Sequence, residues 1–224
     1  MAHVTMHTSG EKIPVSKILC VGQNYREHII ELTPAGKEPD FPTEPVIFMK
    51  PPSALIYDGG TILRPPVSND MHHEVELIIV IGKTGKQISP ADAMHHVLGY
   101  AVGLDMTLRD LQSEAKKKGR PWTIAKGFDT SACISQVMPK EQTGNIMQQD
   151  IKLLVNGTIR QNGNTSDMIF DIATIVSYVS QFFTLERGDL IYTGTPKGVG
   201  PVVTGDQLHA VLGNDLLTVH AKVG

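Results

Sequence analysis

The stretch His73-Glu74-Val75-Glu76 opens an otherwise apolar run, Leu77-Ile78-Ile79-Val80-Ile81. Strand alternation sends side chains i and i+2 to one face, so Glu74 and Glu76 project side by side. Two like charges ~5 Å apart at an effective dielectric of ~20 repel by roughly 3 kcal/mol. Such a pair needs a cation, a shared proton or open solvent. An idle pair at a frayed strand end is the alternative, but the run behind it is too apolar for a freely solvated edge. A divalent metal is the sharper reading. A second apolar run, 100–107, contains Asp105 just before a helix-like segment. Three carboxylates from two strand ends make an oxygen-rich site, suited to Mg²⁺ or Mn²⁺ rather than zinc or copper. His72-His73-Glu74 lacks the HExxH spacing, and adjacent strand histidines face opposite ways.

Other residues could serve such a site. His28 and Glu31 are three apart, neighbours on one helical face. A carboxylate beside an imidazole raises its basicity and fixes its tautomer, making a general base for water. On spacing alone they equally form a surface ion pair. Arg109 and Gln112 share the same spacing just after Asp105. Arg109 is either a planar fork for a substrate carboxylate or a structural surface residue. Lys126 follows the apolar approach Trp122-Thr123-Ile124-Ala125, which buries its stem if it packs inward; near a metal it would stabilise an enolate, and otherwise it is solvated. Thr193-Gly194-Thr195-Pro196-Lys197-Gly198-Val199-Gly200 lacks the Walker A spacing, yet a Gly-rich turn after a strand brings backbone N–H groups and the Thr195 hydroxyl to an anion.

The elements that must position these residues are short. Strands are expected at 17–21, 46–49, 74–81, 100–105, 190–193, 207–212 and 216–221, with a hairpin over 151–161 whose Asn156-Gly157 supplies the positive φ angles of a type I′ turn. Helices are expected over 24–32, 90–97, 108–118 and 171–183, the last capped by Asp171 and carrying Ile172, Ile175, Val176, Val179, Phe182 and Phe183 on one stripe. Residues 33–45, rich in Pro, Gly and charge, read as a mobile loop or lid. With 224 residues, 41% of them hydrophobic, the chain can build one large core. These proportions indicate a β-rich α+β domain. The net charge of −3 leaves no basic footprint for nucleic acid, and the Lys116-Lys117-Lys118 run reads as a solvated helix face. No apolar run approaches a membrane span, and nothing near Met1 resembles a signal or transit peptide. Cys20 and Cys133, distant and in apolar surroundings, read as reduced core thiols; a cytoplasmic protein is expected.

Taken in order, these segments resemble the fumarylacetoacetate hydrolase family. The matching pieces are Gly22-Gln23-Asn24-Tyr25 with His28, His73-Glu74-Val75-Glu76-Leu77, the stretch from Leu104 to Gln112, Trp122-Thr123-Ile124-Ala125-Lys126, and Gly194-Thr195-Pro196-Lys197-Gly198. Lys116-Lys117-Lys118-Gly119-Arg120-Pro121-Trp122 and Ser166-Asp167-Met168-Ile169-Phe170 are similar to the small acylpyruvases that also decarboxylate oxaloacetate. The resemblance implies a mixed β-sandwich roll, a homodimer, and Mg²⁺ or Mn²⁺ held by Glu74, Glu76 and Asp105. It also implies a His28–Glu31 dyad ordered by lid closure, with Lys126, Gln112, Arg109 and Thr195 around a small 2-oxo acid. The domain plan is an N-terminal segment, 1–16, and one catalytic domain, 17–224, with a lid around 24–45. The expected activity is metal-dependent hydrolysis of acylpyruvates (2,4-dioxo acids) to pyruvate and a carboxylic acid, together with oxaloacetate decarboxylation. A 2-oxo-3-enoate isomerase or sugar-acid dehydratase on the same fold is the alternative enzyme, and a noncatalytic metal-stabilised β domain the alternative of another class.

Overall fold

The computed structural model describes residues 2–224. Its backbone is a mixed α+β arrangement dominated by strands. The central sheet has eight strands. Seven run in the order Val46–Lys50, Ile18–Gly22, Leu190–Tyr192, Val75–Ile81, Val97–Asp105, Ala132–Ile134 and Leu55–Tyr57, and Met138–Pro139 pairs separately with Val97–Asp105. Pairing is mostly antiparallel, but Leu190–Tyr192 runs parallel to Ile18–Gly22. A five-stranded sheet packs against it, ordered Thr158–Asn164, Asp150–Val155, Gln207–Leu212, Leu217–Val223 and Gly60–Ile62.

Every residue of Val75–Ile81 is buried, because the central sheet is covered on both faces. Leu77, Ile79 and Ile81 enter the core shared with the five-stranded sheet and the helix Ile172–Phe182. Ile78 and Val80 point the other way, into a core with Val4 and Ile13 from the N-terminal strands His3–Thr5 and Lys12–Pro14 and with Val15 just after them. An unbroken apolar run is the sequence form of a strand buried on two sides. Cys20 and Cys133 are both free and buried.

Several elements differ from expectation. The helix expected over 90–97 is a single turn, Ala93–His96. Helix Ile172–Phe182 does start at Asp171, whose Oδ1 accepts from Thr174 N at 2.8 Å. Its stripe passes through Ile172, Ile175, Val176 and Val179 to Phe183, so Phe182 is left 60% exposed. Asn156 and Gly157 take the positive φ values of the expected turn (52° and 77°), and the second hairpin strand runs on to Asn164. Among the described residues no helix is long and apolar enough to cross a membrane.

One cross-strand pair on the five-stranded sheet gives a pH prediction. His209 and His220 face each other with ring centroids 4.1 Å apart, and His209 Nε2 is buried without a hydrogen-bond partner among the described residues. Burial and then the His220 ring lower the His209 pKa, against the opposing pull of Asp215 and Asp58. The folded chain therefore binds this proton less readily than the unfolded one. Its stability contribution is full above the ordinary histidine pKa of about 6.5 and is lost as pH falls through that value. The melting temperature should drop between pH 7.5 and 5.5, and His209→Asn should flatten that slope.

Candidate active site

The three acidic residues converge where two central strands meet. Asp105 ends Val97–Asp105, and its backbone N–H donates to Glu74 O at 2.8 Å, locking the two strand ends together. Glu74, Glu76 and Asp105 are all buried, with one ligand atom of each lying within 4.8 Å of the others. They line a cavity of about 230 Å³ together with His28, Arg109, Gln112, Lys126 and Thr195, so eight of the nine residues singled out in the sequence line one cavity, and the ninth, Glu31, stands against His28 outside that lining.

Cations balance these acids unevenly. Lys126 Nζ, also buried, donates to Glu74 Oε2 at 2.6 Å and Asp105 Oδ2 at 2.7 Å. Arg109 pairs with the other Glu74 oxygen and donates to Gln112 Oε1 at 2.7 Å. Burial raises the Glu74 pKa, but Lys126 and then Arg109 outweigh it and hold the carboxyl well below the usual range. Burial likewise disfavours the Lys126 ammonium, yet Asp105 and Glu74 outweigh it and keep its pKa above that of an ordinary lysine. Glu76 is different. Burial, then Asp105 and Glu74, push its carboxyl well above the usual range, and its hydrogen bond is from Gly194 N at 2.8 Å.

These residues suit a divalent ion. Glu76 has no ion pair among the described residues, and Asp105 Oδ1 is buried without a hydrogen-bond partner, with only the ion pair to Lys50 Nζ at 2.7 Å. The donors are all carboxylate oxygens, the set that hard cations take.

Lys50 was not among the residues expected from the sequence. It closes the apolar strand Val46–Lys50, is 1% exposed, and donates to the carbonyls of Met106 and Lys126 as well as pairing with Asp105. Its only signal in the sequence is a lone lysine between an apolar strand and Pro51-Pro52. Removing one partner of a buried ion pair costs about 3–5 kcal/mol. Because Lys126 remains beside Asp105, Lys50→Met should cost nearer 3 kcal/mol, a melting point lower by roughly 6–12 °C for a chain of this size. Thermal unfolding of Lys50→Met, Asp105→Asn and the double variant checks this: the double should lose much less than the sum.

The opposite wall comes from helix Arg26–Leu32 and the glycine-rich loop. Buried Asn24 fixes the helix start, donating to Thr193 O at 2.8 Å and accepting from Phe170 N at 2.7 Å. His28 Nδ1 lies 3.2 Å from Glu31 Oε2, and Glu31 Oε1 accepts from Gly198 N at 2.9 Å. Burial opposes the Glu31 charge, but the bonds from His28 and Gly198 prevail and lower its pKa. The dyad expected to form on lid closure is thus already made here, because the i,i+3 spacing and the Gly198 N–H hold Glu31 in place. Gly198 has φ of 97°, and a Cβ there would lie 2.3 Å from Arg160 O, so the loop cannot retreat from the helix with a larger residue.

A second residue missing from the sequence reading is Gln161, fully buried on Thr158–Asn164. Its Nε2 donates to Thr195 Oγ1 at 2.8 Å and Pro196 O at 2.9 Å, while its Oε1 accepts from Val75 N at 3.0 Å and faces His73 Nδ1 at the same distance. It ties the Thr195 loop to the strand carrying Glu76. Thr195 accepts from Gln161, which leaves its own O–H to be donated into the cavity. From residues 33–45, Thr33, Pro34, Lys37, Glu38 and Asp40 line the cavity mouth.

Residues 17–224 match the family described as fumarylacetoacetate (FAA) hydrolase C-terminal. A protein of Bos taurus named oxaloacetate tautomerase, mitochondrial, is 49% identical over 206 residues, covering 92% of this chain and 90% of that one. Its Arabidopsis thaliana namesake is 48% identical over 195 residues, covering 87% and 85%. A crystal structure described as fumarylpyruvate hydrolase from Pseudomonas aeruginosa with Mn²⁺ and pyruvate superposes with a TM-score of 0.92 at 39% identity, covering 99% of this chain and 94% of that one.

Proposed function

Because the chain belongs to the fumarylacetoacetate hydrolase family, we propose that it is a divalent-metal enzyme that hydrolyses acylpyruvates to pyruvate and a carboxylic acid and also decarboxylates oxaloacetate. The observation carrying this is one cavity holding three buried carboxylates beside a His28–Glu31 pair. The Pseudomonas aeruginosa neighbour, described in complex with Mn²⁺ and pyruvate, supports it. An N-terminal segment over 1–16 followed by a single catalytic domain over 17–224, a lid around 24–45 and a homodimer belong to the same reading.

Glu74, Glu76 and Asp105 would hold Mg²⁺ or Mn²⁺, which supplies Lewis-acid polarisation of a 2-oxo acid and positive charge for its enolate. Arg109, Gln112 and the Thr195 O–H orient the substrate carboxylate and 2-oxo group. His28, held by Glu31, takes a proton from water as the oxygen adds to the distal carbonyl. The C3–C4 bond then breaks with its electron pair going to the pyruvate fragment. Lys126 stabilises the developing enolate charge, and protonation at C3 completes pyruvate while the acyl fragment leaves as a carboxylate. Oxaloacetate in the same pose loses CO₂ to give the same enolate without an attacking water.

A second reading is suggested by the names of the Bos taurus and Arabidopsis thaliana relatives: His28 moving the C3 proton of oxaloacetate between keto and enol forms. One experiment decides. Acylpyruvate and oxaloacetate are incubated with the protein in Mg²⁺, Mn²⁺ or EDTA, with pyruvate assayed directly and enol absorbance followed in parallel. Metal-dependent pyruvate from both substrates is expected. Loss of enol absorbance with no pyruvate above background would replace the proposal by the tautomerase reading.

A further inference from the structure

Thr193 and Thr195 flank Gly194, and both are buried, but their hydroxyls are used differently. Thr193 donates its O–H to Leu77 O at 2.9 Å, inside the central sheet. Thr195 lines the cavity, and its Oγ1 receives a hydrogen from Gln161 Nε2 at 2.8 Å. Two groups of fixed sense decide that direction. The Val75 backbone N–H can only donate, and it lies 3.0 Å from Gln161 Oε1. The Pro196 carbonyl can only accept, and it lies 2.9 Å from Nε2. A flipped amide would set N–H against N–H at Val75 and oxygen against oxygen at Pro196. His73 Nδ1, 3.0 Å from the same Oε1, therefore carries its own hydrogen. Both Nε2 hydrogens are committed, one to Pro196 and one to Thr195. The Thr195 O–H has no acceptor among the described residues and is left for whatever occupies the cavity.

The loop is held in this register on both sides of the amide. Two residues past Gln161, a Cβ on Gly163 would lie 2.6 Å from Pro196 Cβ. One residue before it, the Arg160 carbonyl lies 2.3 Å from where a Cβ on Gly198 would be. Gln161 is 0% exposed and does not itself line the cavity, so its effect on a ligand passes through Thr195. We propose that Gln161 is a positioning residue that makes Thr195 a one-way donor, aimed at a hydrogen-free, anionic oxygen of the 2-oxo acid. The proposal rests on the contact between Thr195 and substrate in the acylpyruvase reading, and adds the group that sets its sense. A carboxylate in place of the amide reverses that sense. In Gln161→Glu both arms are acceptors, so the Thr195 O–H turns back towards residue 161 and a lone pair faces the substrate anion.

The probe is oxalate with Mg²⁺ present, titrated calorimetrically into wild type, Thr195→Val, Thr195→Ser, Gln161→Glu and the double variant Gln161→Glu with Thr195→Val. Thermal unfolding of each protein sets a temperature at which all are folded. Loss of a hydrogen bond to a charged group should make Thr195→Val bind oxalate about ten- to a hundredfold more weakly, while Thr195→Ser binds as wild type does. Gln161→Glu should weaken binding at least as much as Thr195→Val. On the Gln161→Glu background, Thr195→Val should cost nothing further or recover affinity, a coupling that general loosening of the fold does not produce. Gln161→Met, which adds no charge, covers the case in which the glutamate variant does not fold. It leaves the hydroxyl undirected, so oxalate should bind more weakly, and adding Thr195→Val should cost less than in wild type. Equal costs of Thr195→Val with and without Gln161, or unchanged oxalate affinity in Thr195→Val or in the Gln161 variants, overturn the assignment. The expected coupling in a protein whose wild type releases no pyruvate from acylpyruvate or oxaloacetate overturns the acylpyruvase reading and upholds Gln161.

Discussion

Glu76→Gln should reduce metal-dependent cleavage of both acylpyruvate and oxaloacetate to background, and should abolish the rise in melting temperature on adding Mg²⁺. Glu76 is the acid of the triad with no ion pair among the described residues, and Asp105 and Glu74 push its carboxyl above the usual range. A divalent ion bound only to the folded chain stabilises it by about 2.7 kcal/mol at a hundred times its Kd, or roughly 5–10 °C for a chain of this length. The amide is a poor ligand, so that gain disappears. The variant without metal should be as stable as the wild type or more so, because a neutral side chain replaces a buried carboxyl crowded by two others. Calorimetry on both proteins with and without Mg²⁺ checks both halves. A variant retaining full Mg²⁺-dependent turnover would remove Glu76 from the metal site.

The second large effect separates the two reactions. His28→Ala should slow acylpyruvate hydrolysis by roughly 10²–10⁴-fold, the usual worth of a general base. Oxaloacetate decarboxylation needs an oriented carboxylate and an enolate sink, with no attacking water, so it should fall much less. Glu74→Gln should impair both, since Glu74 anchors Lys126 and Arg109 as well as belonging to the triad. Assays of both substrates on both variants at saturating Mg²⁺ give the comparison. If His28→Ala left hydrolysis unchanged, water activation by this residue would be wrong and the isomerase or dehydratase alternative would move ahead.

Local signals were enough for the parts of the molecule that repeat a short-range pattern. The strand ending at Ile81, the Asp171 cap and the Asn156-Gly157 turn each carry their reason within a few residues. Strands Leu55–Tyr57 and Ala132–Ile134 escaped notice because they are three residues long and pair in parallel across a large sequence separation. Phe182 was misplaced because two adjacent aromatics cannot both continue one helical stripe. At the cavity, the residues legible by chemical type and spacing lie close together, while Lys50 and Gln161 carry no such signal. Nothing beside either in the chain marks it, since its partners arrive from distant strands. Buried polar connectors are specified by tertiary neighbours, and sequence spacing does not reveal them.

The contact between Glu31 and Gly198 bears on how this catalyst can be altered by successive mutation. Gly198 touches nothing reactive, yet any side chain there collides with the Arg160 backbone and displaces the N–H that steadies Glu31. Gly194, whose Cβ would fall 2.7 Å from Asn24, is under a comparable prohibition. One flank of the cavity therefore has almost no neighbouring sequences to move to. The other flank, from Pro34 to Asp40, is open irregular chain with no strand or helix to disrupt. Libraries aimed at new acyl groups should be concentrated there, away from the hydrogen bonds that hold His28 and Glu31.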